Sequence, residues 1–238
     1  MKINILIPCF VDQLFPSVGV SVVRIFEKLG HTVDFKKSIL CCGQPAFNAG
    51  FWAESRDIAG RVIDALAGED PVVVPSGSCA AMVKNFYPEL FRSTSRAEAA
   101  IHVSRRTFEF SSFLVDRLGV TNLGSRFAAR VTFHDGCHAL RELNVKRQPR
   151  MLLEQVKDLT LVEMEDQTSC CGFGGTFSVK FPMISTAMGE TKSGSALETG
   201  AEYLVSNDSS CLMHLQGILS RQKQNLKTIH LAEILASA

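Results

Sequence analysis

The sequence lacks an apolar stretch long enough to cross a bilayer. Its longest apolar runs, "INILIPCFV" and "IHLAEILASA", fall well short of the roughly 20 residues that a transmembrane helix needs. The first residues, "MKINILIPCFVDQLF", also lack the separate charged region, apolar region and cleavage site of a secretory signal. The sequence therefore predicts a protein that is not an integral membrane protein, with an immediate first β-strand and a cytoplasmic location.

The chain also lacks an excess of charge of one sign. Its 25 basic and 24 acidic residues leave a formal net charge of +1 and are spread along the chain. Because nucleic-acid-binding proteins usually present a basic face to phosphates, this balance argues against a nucleic-acid partner. With 238 residues and 46% apolar content, the chain is long enough for one large α/β domain or two smaller ones.

Two nucleotide-binding motifs are missing as well. The sequence contains no P-loop, and Phe177 stands where the third glycine of G-x-G-x-x-G would follow Gly172 and Gly174. These glycines are therefore expected to allow close approach to some other bound group.

What the sequence does contain is eight cysteines arranged as an internal repeat. Each half has the order C, CC, C, and corresponding cysteines are 128 to 132 residues apart. Neighbouring segments repeat with them, as in "LCCGQPAF" and "SCCGFGGT". Simple burial of thiols does not produce the same register twice. The first quartet is Cys9, Cys41, Cys42 and Cys79, and the second quartet is Cys137, Cys170, Cys171 and Cys211.

Short apolar runs rich in β-branched residues alternate with segments of helical periodicity. We predict strands at "INILI", "TVDF", "PVVVP", "RVTFH", "LTLVEM" and "EYLVS". The alternation predicts an α/β fold with mainly parallel sheets. We expect two Rossmann-like lobes, residues 1–120 and 121–238, related by a pseudo-twofold axis. Helical stripes are predicted at Val18, Val22, Ile25 and Leu29, ending at Gly30, and at Met183, Ile184, Ala187 and Met188.

The single cysteine positions of each quartet follow predicted strands. Cys9, Cys79, Cys137 and Cys211 each come shortly after an apolar run. In parallel sheets, ligands gather beyond the carboxyl ends of the strands, so we expect each quartet to converge there. Cys79 and Cys211 also open predicted helices, with Ser78 and Ser210 as expected caps, and a helix start favours a thiolate.

The quartets have four possible explanations, which are zinc sites, disulfides, a thiol-exchange centre and iron–sulfur clusters. Structural zinc sites usually use C-x₂₋₄-C pairs, which are absent here. A disulfide between Cys41 and Cys42 would join neighbours about 3.8 Å apart, below the usual Cα separation. Adjacent thiolates can instead bind different irons of one cluster, while Gly43 or Gly172 lets the backbone turn close against it. The pattern favours clusters and leaves zinc and thiol exchange open.

The repeated pattern resembles a known family. C…CCG…C, given twice, is similar to the cysteine-rich CCG domain found in heterodisulfide reductases and in the iron–sulfur subunits of glycolate and glycerol-3-phosphate dehydrogenases. Longer segments, such as "CCGQPAFNAGFW" and "SNDSSCLMHLQGIL", resemble the lactate-utilization members of that family. The resemblance implies an iron–sulfur electron-transfer subunit of a complex that oxidises L-lactate to pyruvate, with companion iron–sulfur or flavin-linked subunits. A cluster-based thiol or disulfide reductase and a zinc-stabilised binding module are the alternatives.

The chain departs from the reductase pattern at Met82 and His214, where that family has a second cysteine three residues after the last one. Each half therefore keeps four thiolates, which suits an ordinary [4Fe–4S] cluster in each lobe. The resemblance thus implies the eight cysteines as cluster ligands, with His214 as a further candidate. His134 and His138 flank Cys137 and are expected to donate hydrogen bonds to cluster sulfides or to carry protons. No acid–base group for lactate is identified.

Overall fold

The computed structural model describes residues 1–237 as alternating strands and helices, and Ala238 of the expected second lobe lies outside these residues. No helix in the described part of the chain is both long and apolar enough to span a membrane. The strands are β1 (Lys2–Ile5), β2 (Thr32–Phe35), β3 (Val72–Val74), β4 (Thr107–Glu109), β5 (Arg126–Phe133), β6 (Lys157–Leu161), β7 (Tyr203–Ser206) and β8 (Lys227–His230).

The helices connect these strands and cover the sheets. Two of them, α5 and α8, continue into π-helical turns at Met82–Phe86 and Phe113–Arg117. The helices are α1 (Cys9–Leu14), α2 (Pro16–Lys28), α3 (Gln44–Asn48), α4 (Trp52–Ala65), α5 (Gly77–Ala81), α6 (Tyr87–Leu90), α7 (Ala97–Arg106), α8 (Phe110–Ser112), α9 (Cys137–Leu143), α10 (Arg147–Leu153), α11 (Thr176–Lys180), α12 (Pro182–Glu198), α13 (Ser209–Arg221) and α14 (Leu231–Leu235).

The strands form two four-stranded sheets with the same topology. The first has the order β2-β1-β3-β4 and the second β6-β5-β7-β8. Every neighbouring pair is parallel. The predicted α/β fold with two Rossmann-like lobes is therefore confirmed. The boundary at residue 120 falls between β4 and β5 and stays a prediction.

All six predicted strands are present, and two further strands, β4 and β8, were not predicted. Each is the last strand of its sheet. The sequence of β4, "TFE", is only three residues long, and "KTIH" in β8 has a single apolar residue. Neither strand therefore carries the apolar run on which the sequence prediction depended.

The hydrophobic core around α2 extends across both lobes. Helix α2 buries Val18, Val22 and Ile25, as its predicted stripe required. Helix α14, which follows the last strand of the second sheet, packs on α2. The same cluster includes Phe110 from the first lobe and Leu152 from the second. The two lobes are therefore joined by shared apolar packing.

The stripe predicted for α12 is wrong, because its opposite face is buried. Met183 is 83% exposed and Ile184 is 55% exposed. The buried positions carry small or polar side chains, which let α12 approach α13 closely; a Cβ at Gly189 would collide with Ile218. Those buried residues are Ser185, Gly189, Lys192, Ser193 and Ala196.

Candidate metal centre

The eight cysteines all line one cleft between the two lobes. This cleft has a cavity volume of about 100 Å³, and both quartets contribute to its wall. All eight are free thiols. Phe10 from the first lobe and Phe173 from the second meet edge to face beside them, with ring centroids 5.5 Å apart. The structure thus brings together every cysteine that the repeat singles out.

The single cysteine positions lie at helix starts. Cys9 and Cys137 are the first residues of α1 and α9, and Cys79 and Cys211 are the third residues of α5 and α13. These helices follow β1, β5, β3 and β7, the central strands of the two sheets. Free backbone N–H groups and the positive end of the helix dipole favour thiolates at these places.

The caps of two of these helices differ from the sequence prediction. Ser76, rather than Ser78, caps α5, since its Oγ accepts a hydrogen bond from the Cys79 N–H at 3.3 Å. Asp208, rather than Ser210, precedes α13. The Asp208 carboxylate accepts hydrogen bonds from the Ser78 N–H at 2.9 Å and from the Ser210 hydroxyl at 2.8 Å. A second-lobe side chain therefore holds the helix start that carries Cys79.

The first quartet forms a chain of sulfur contacts. Cys42 Sγ lies 3.3 Å from Cys79 Sγ, and the Gly43 N–H donates to Cys41 Sγ at 3.3 Å. Hydrogen bonds from the Cys42 and Cys9 thiols lower the pKa of Cys41 to about 2. The same contacts with Cys41, together with burial, raise the pKa of Cys9 and of Cys42. These contacts thus favour the thiolate form at Cys41, the first cysteine of the adjacent pair.

The second quartet repeats this arrangement. The Gly172 N–H donates to Cys170 Sγ at 3.4 Å, and the Phe173 N–H donates to Cys171 Sγ at 3.5 Å. Hydrogen bonds from the Cys137 and Cys171 thiols lower the pKa of Cys170 to about 2. Four thiols joined by successive sulfur contacts in each lobe are a donor set that fits a metal ion or an iron–sulfur cluster.

A glycine follows each cysteine pair in a left-handed backbone conformation. Gly43 has φ +86° and Gly172 has φ +88°, values that side-chain-bearing residues rarely adopt. A Cβ would lie 3.2 Å from the Ser55 carbonyl oxygen at Gly43, and 2.5 Å from the Ser185 carbonyl oxygen at Gly172. Both turns, which favour glycine, therefore lie close against the second helix that follows each pair, α4 after the first and α12 after the second.

Two of the three histidines near the second quartet have partners within the protein. His138 lines the cleft, with Nε2 3.5 Å from the side-chain nitrogen of Gln44 in the first lobe. His214 is half-buried, and its Nε2 lies 3.4 Å from the Ser185 carbonyl oxygen. Burial lowers the pKa of His214. A ligand role for His214 stays a prediction.

His134 lies directly beside thiols of the second quartet. It is fully buried, and neither ring nitrogen has a hydrogen-bond partner among residues 1–237. One of its nitrogens and the Sγ atoms of Cys171 and Cys211 all lie within 4.8 Å of one another. Burial, reinforced by the charge of Lys192, lowers the pKa of His134 to about 3, so its imidazole is neutral at physiological pH.

Lys192 is a site residue that the sequence patterns did not indicate. It is fully buried on α12, and its Nζ donates to the Asp166 carbonyl oxygen. Burial lowers its pKa, while nearby acidic groups and the Cys170 and Cys171 thiols act in the opposite direction. A comparison of the two halves would have indicated it. Ser55 and Ser185 face the corresponding glycines Gly43 and Gly172. Seven residues further on, the first half has the apolar Val62 and the second half has Lys192.

Comparison with known proteins agrees with this repeated architecture. The family described as "CCG: Cysteine-rich domain" matches residues 3–84 and 131–216. The chain is 44% identical over 236 residues to lactate utilization protein A of Oceanobacillus iheyensis, covering 99% of this chain and 96% of that protein. It is 42% identical over 236 residues to the protein of the same name from Geobacillus kaustophilus, covering 99% and 98%.

A solved structure shares the fold. The crystal structure of a hypothetical protein from Helicobacter pylori matches with a TM-score of 0.61 and 12% identity, covering 98% of this chain and 48% of that one. The two separate CCG matches confirm the predicted internal duplication. On these grounds the chain belongs to the cysteine-rich CCG domain family, and within it to the lactate utilization protein A group.

Proposed function

We propose that this chain is the iron–sulfur electron-transfer subunit of a complex that oxidises L-lactate to pyruvate. The observation that carries the proposal is the convergence of all eight thiols on one cleft, as two quartets of identical internal order. The names of the relatives point to lactate utilization. Lactate oxidation releases an electron pair, and two adjacent one-electron centres suit the removal of such a pair.

The donor set and its surroundings fit one cluster per lobe, and a [4Fe–4S] cluster takes up and releases one electron when bound. Cys9, Cys41, Cys42 and Cys79 would hold the first, and Cys137, Cys170, Cys171 and Cys211 would hold the second. The protein itself supplies the thiolates, the helix-start N–H groups and the burial that together set a reduction potential.

Exposed apolar side chains beside both cysteine pairs support the assignment to a complex. Leu40, next to Cys41, is 75% exposed, and Phe51 at the start of α4 is 58% exposed. Val179 and Met183, after the second pair, are 80% and 83% exposed. Because such groupings mark interaction surfaces, we propose that a companion iron–sulfur or flavin-linked subunit covers them.

The open mouth of the cleft favours one second candidate, a cluster-based thiol or disulfide reductase. In that case a small disulfide would enter between the quartets, and the isolated protein would reduce it without companion subunits. An assay of the isolated protein with an artificial electron donor and a panel of disulfides separates the two functions. Turnover would favour the reductase, and its absence would favour the electron-transfer subunit.

The decisive test is the iron and acid-labile sulfide content of protein purified without oxygen. We expect about eight of each per chain and a brown colour. Cys41→Ser should remove the first cluster and Cys170→Ser the second, so each variant is the control for the other. Zinc in place of iron, or unchanged iron in both variants, would contradict the proposal. Isolation of the native protein without companion subunits would contradict the complex.

A further inference from the structure

We propose that His134 is a fifth ligand of the metal group in the second lobe, which makes that site Cys₄His and chemically different from the first. The inference rests on the proposed iron–sulfur function and deepens it. The imidazole that binds the metal group is that of His134, rather than that of His214.

His134 has no partner inside the protein. Both ring nitrogens are buried and lack a hydrogen-bond partner among the described residues. Buried polar groups in folded proteins are almost always paired, and an unpaired one calls for a bound ion or water. His214, in contrast, has the Ser185 carbonyl oxygen 3.4 Å from its Nε2.

His134 also lies where a ligand of the second quartet would lie. One of its ring nitrogens is within 4.8 Å of the Sγ atoms of both Cys171 and Cys211, which are themselves within that distance of each other. Thiolates and a neutral imidazole are donors that iron and zinc both accept together. The donor group therefore combines residues from three separate segments at one point of the cleft.

The backbone fixes His134 at this place. Its N–H donates to the Val205 carbonyl oxygen at 2.8 Å, and its carbonyl oxygen accepts from the Ser206 hydroxyl at 3.0 Å. The next residue, Asp135, is buried and held by Arg150 through two hydrogen bonds of 2.8 and 3.0 Å. The backbone of His134 is thus fixed beside the cleft, and its ring is fully buried.

The first lobe supplies an internal comparison. Leu6 precedes Cys9 by three residues, as His134 precedes Cys137. Leu6 is equally buried but offers no donor atom. Within residues 1–237, this position therefore offers a fifth ligand to the second quartet and not to the first.

The test is pulsed electron paramagnetic resonance on the reduced protein, produced with and without ¹⁵N-labelled histidine. We expect a strong nitrogen hyperfine interaction that changes with the label, from one of the two clusters. It should persist in His214→Leu and His138→Leu, which are the matched controls, and disappear in His134→Leu. In His134→Cys, we expect the nitrogen signal to be lost and iron content to be retained, because a thiolate replaces the imidazole.

Several outcomes would overturn the inference. The inference would be overturned if iron-loaded wild-type protein gave no strong hyperfine interaction with histidine nitrogen. A weak nitrogen interaction, typical of a hydrogen bond to sulfide, would overturn it as well. Both results would leave the proposed function intact. Loss of the signal in His214→Leu, with its retention in His134→Leu, would assign the ligand to the other histidine. Protein that binds no iron would overturn the proposed function and this inference together. If His134→Leu does not fold, the two control variants and His134→Cys still decide the assignment.

Discussion

Gly77 and Ala139 touch across the boundary between the two halves of the metal centre. A Cβ built at Gly77 would lie 2.5 Å from Ala139 Cβ and 3.0 Å from the Ala139 backbone. Gly77 opens α5, which carries Cys79, and Ala139 lies in the first turn of α9, which begins at Cys137. The distance between the two quartets is therefore set by the missing side chain of one glycine.

Gly77→Ala should accordingly force α5 and α9 apart. Overpacking of this kind costs about 1–3 kcal/mol, which corresponds to a fall of several degrees in the melting temperature of a chain of this size. Circular dichroism during heating of the metal-free protein measures it. Gly217→Ala is the control, because nothing lies within 4 Å of its Cβ position on α13. Equal melting temperatures for the two variants would contradict the close contact.

The turn after the second cysteine pair yields a prediction about metal content. Gly172→Ala places a Cβ 2.5 Å from the Ser185 carbonyl oxygen in a left-handed backbone, so the pair must move away from α12. We expect iron to fall by about four per chain, the content of one cluster. Gly200→Ala shares the positive φ, at +63°, but meets no atom within 4 Å. It should keep its iron and lose only about 1 kcal/mol of stability.

The sequence alone predicts six of the eight strands and the cysteine placement correctly, because these depend on local periodicity. "PVVVP" and "EYLVS" bury all or most of their residues in β3 and β7, and the cysteines after them reach the cleft. The duplication also fixes which strands correspond. These features need no knowledge of distant contacts.

The details of the site depend on contacts that a linear pattern does not encode. The buried face of α12 is its small and polar side, because Gly189 must pass Ile218. His134 and Lys192 meet only in three dimensions, since they lie on the loop after β5 and on α12. Their buried positions carry Leu6 and Val62 in the first half, so only a comparison of the halves would have indicated them.

Glu109 provides a test of stability against pH. It is buried, and burial raises its pKa above its usual 4.5, despite hydrogen bonds from Ser111, Ser112 and Asn207. A raised pKa in the folded state gives stability that is fully present below the unfolded-state pKa and is lost as pH rises through the folded-state pKa. Glu109→Gln removes this loss, and the unpaired Asn207 Oδ1 can accept a hydrogen bond from the new amide.

We therefore expect Glu109→Gln to match the wild type near pH 4 and to exceed it in free energy of unfolding at pH 7.5. Urea titration of the metal-free protein at several pH values measures this difference. The matched control is Glu165→Gln at an exposed site, which should run parallel to the wild type. Parallel curves for Glu109→Gln as well would show that the buried carboxyl has no such effect.

Because Lys192 places a buried positive charge beside the second quartet only, we expect the two clusters to differ in reduction potential. Reduction adds negative charge, which a buried cation stabilises, and Lys192 acts on Cys170 and Cys171 where the first lobe has only the apolar Val62. Lys192→Met keeps the length of the side chain and removes its charge. We expect the potential of the second-lobe cluster to fall, by about 59 mV for each 1.4 kcal/mol of lost interaction in a one-electron couple.

A redox titration followed by electron paramagnetic resonance measures this potential. Lys180→Met removes an exposed charge from the neighbouring helix α11 and should change it little, because water and salt screen that charge. The Cys41→Ser background isolates the second cluster, so that its signal is not mixed with that of the first. If Lys192→Met and Lys180→Met shift the potential equally, or neither shifts it, burial of Lys192 does not tune the second site. A fall in Lys192→Met alone would show that the buried charge of Lys192 raises the potential of the second cluster.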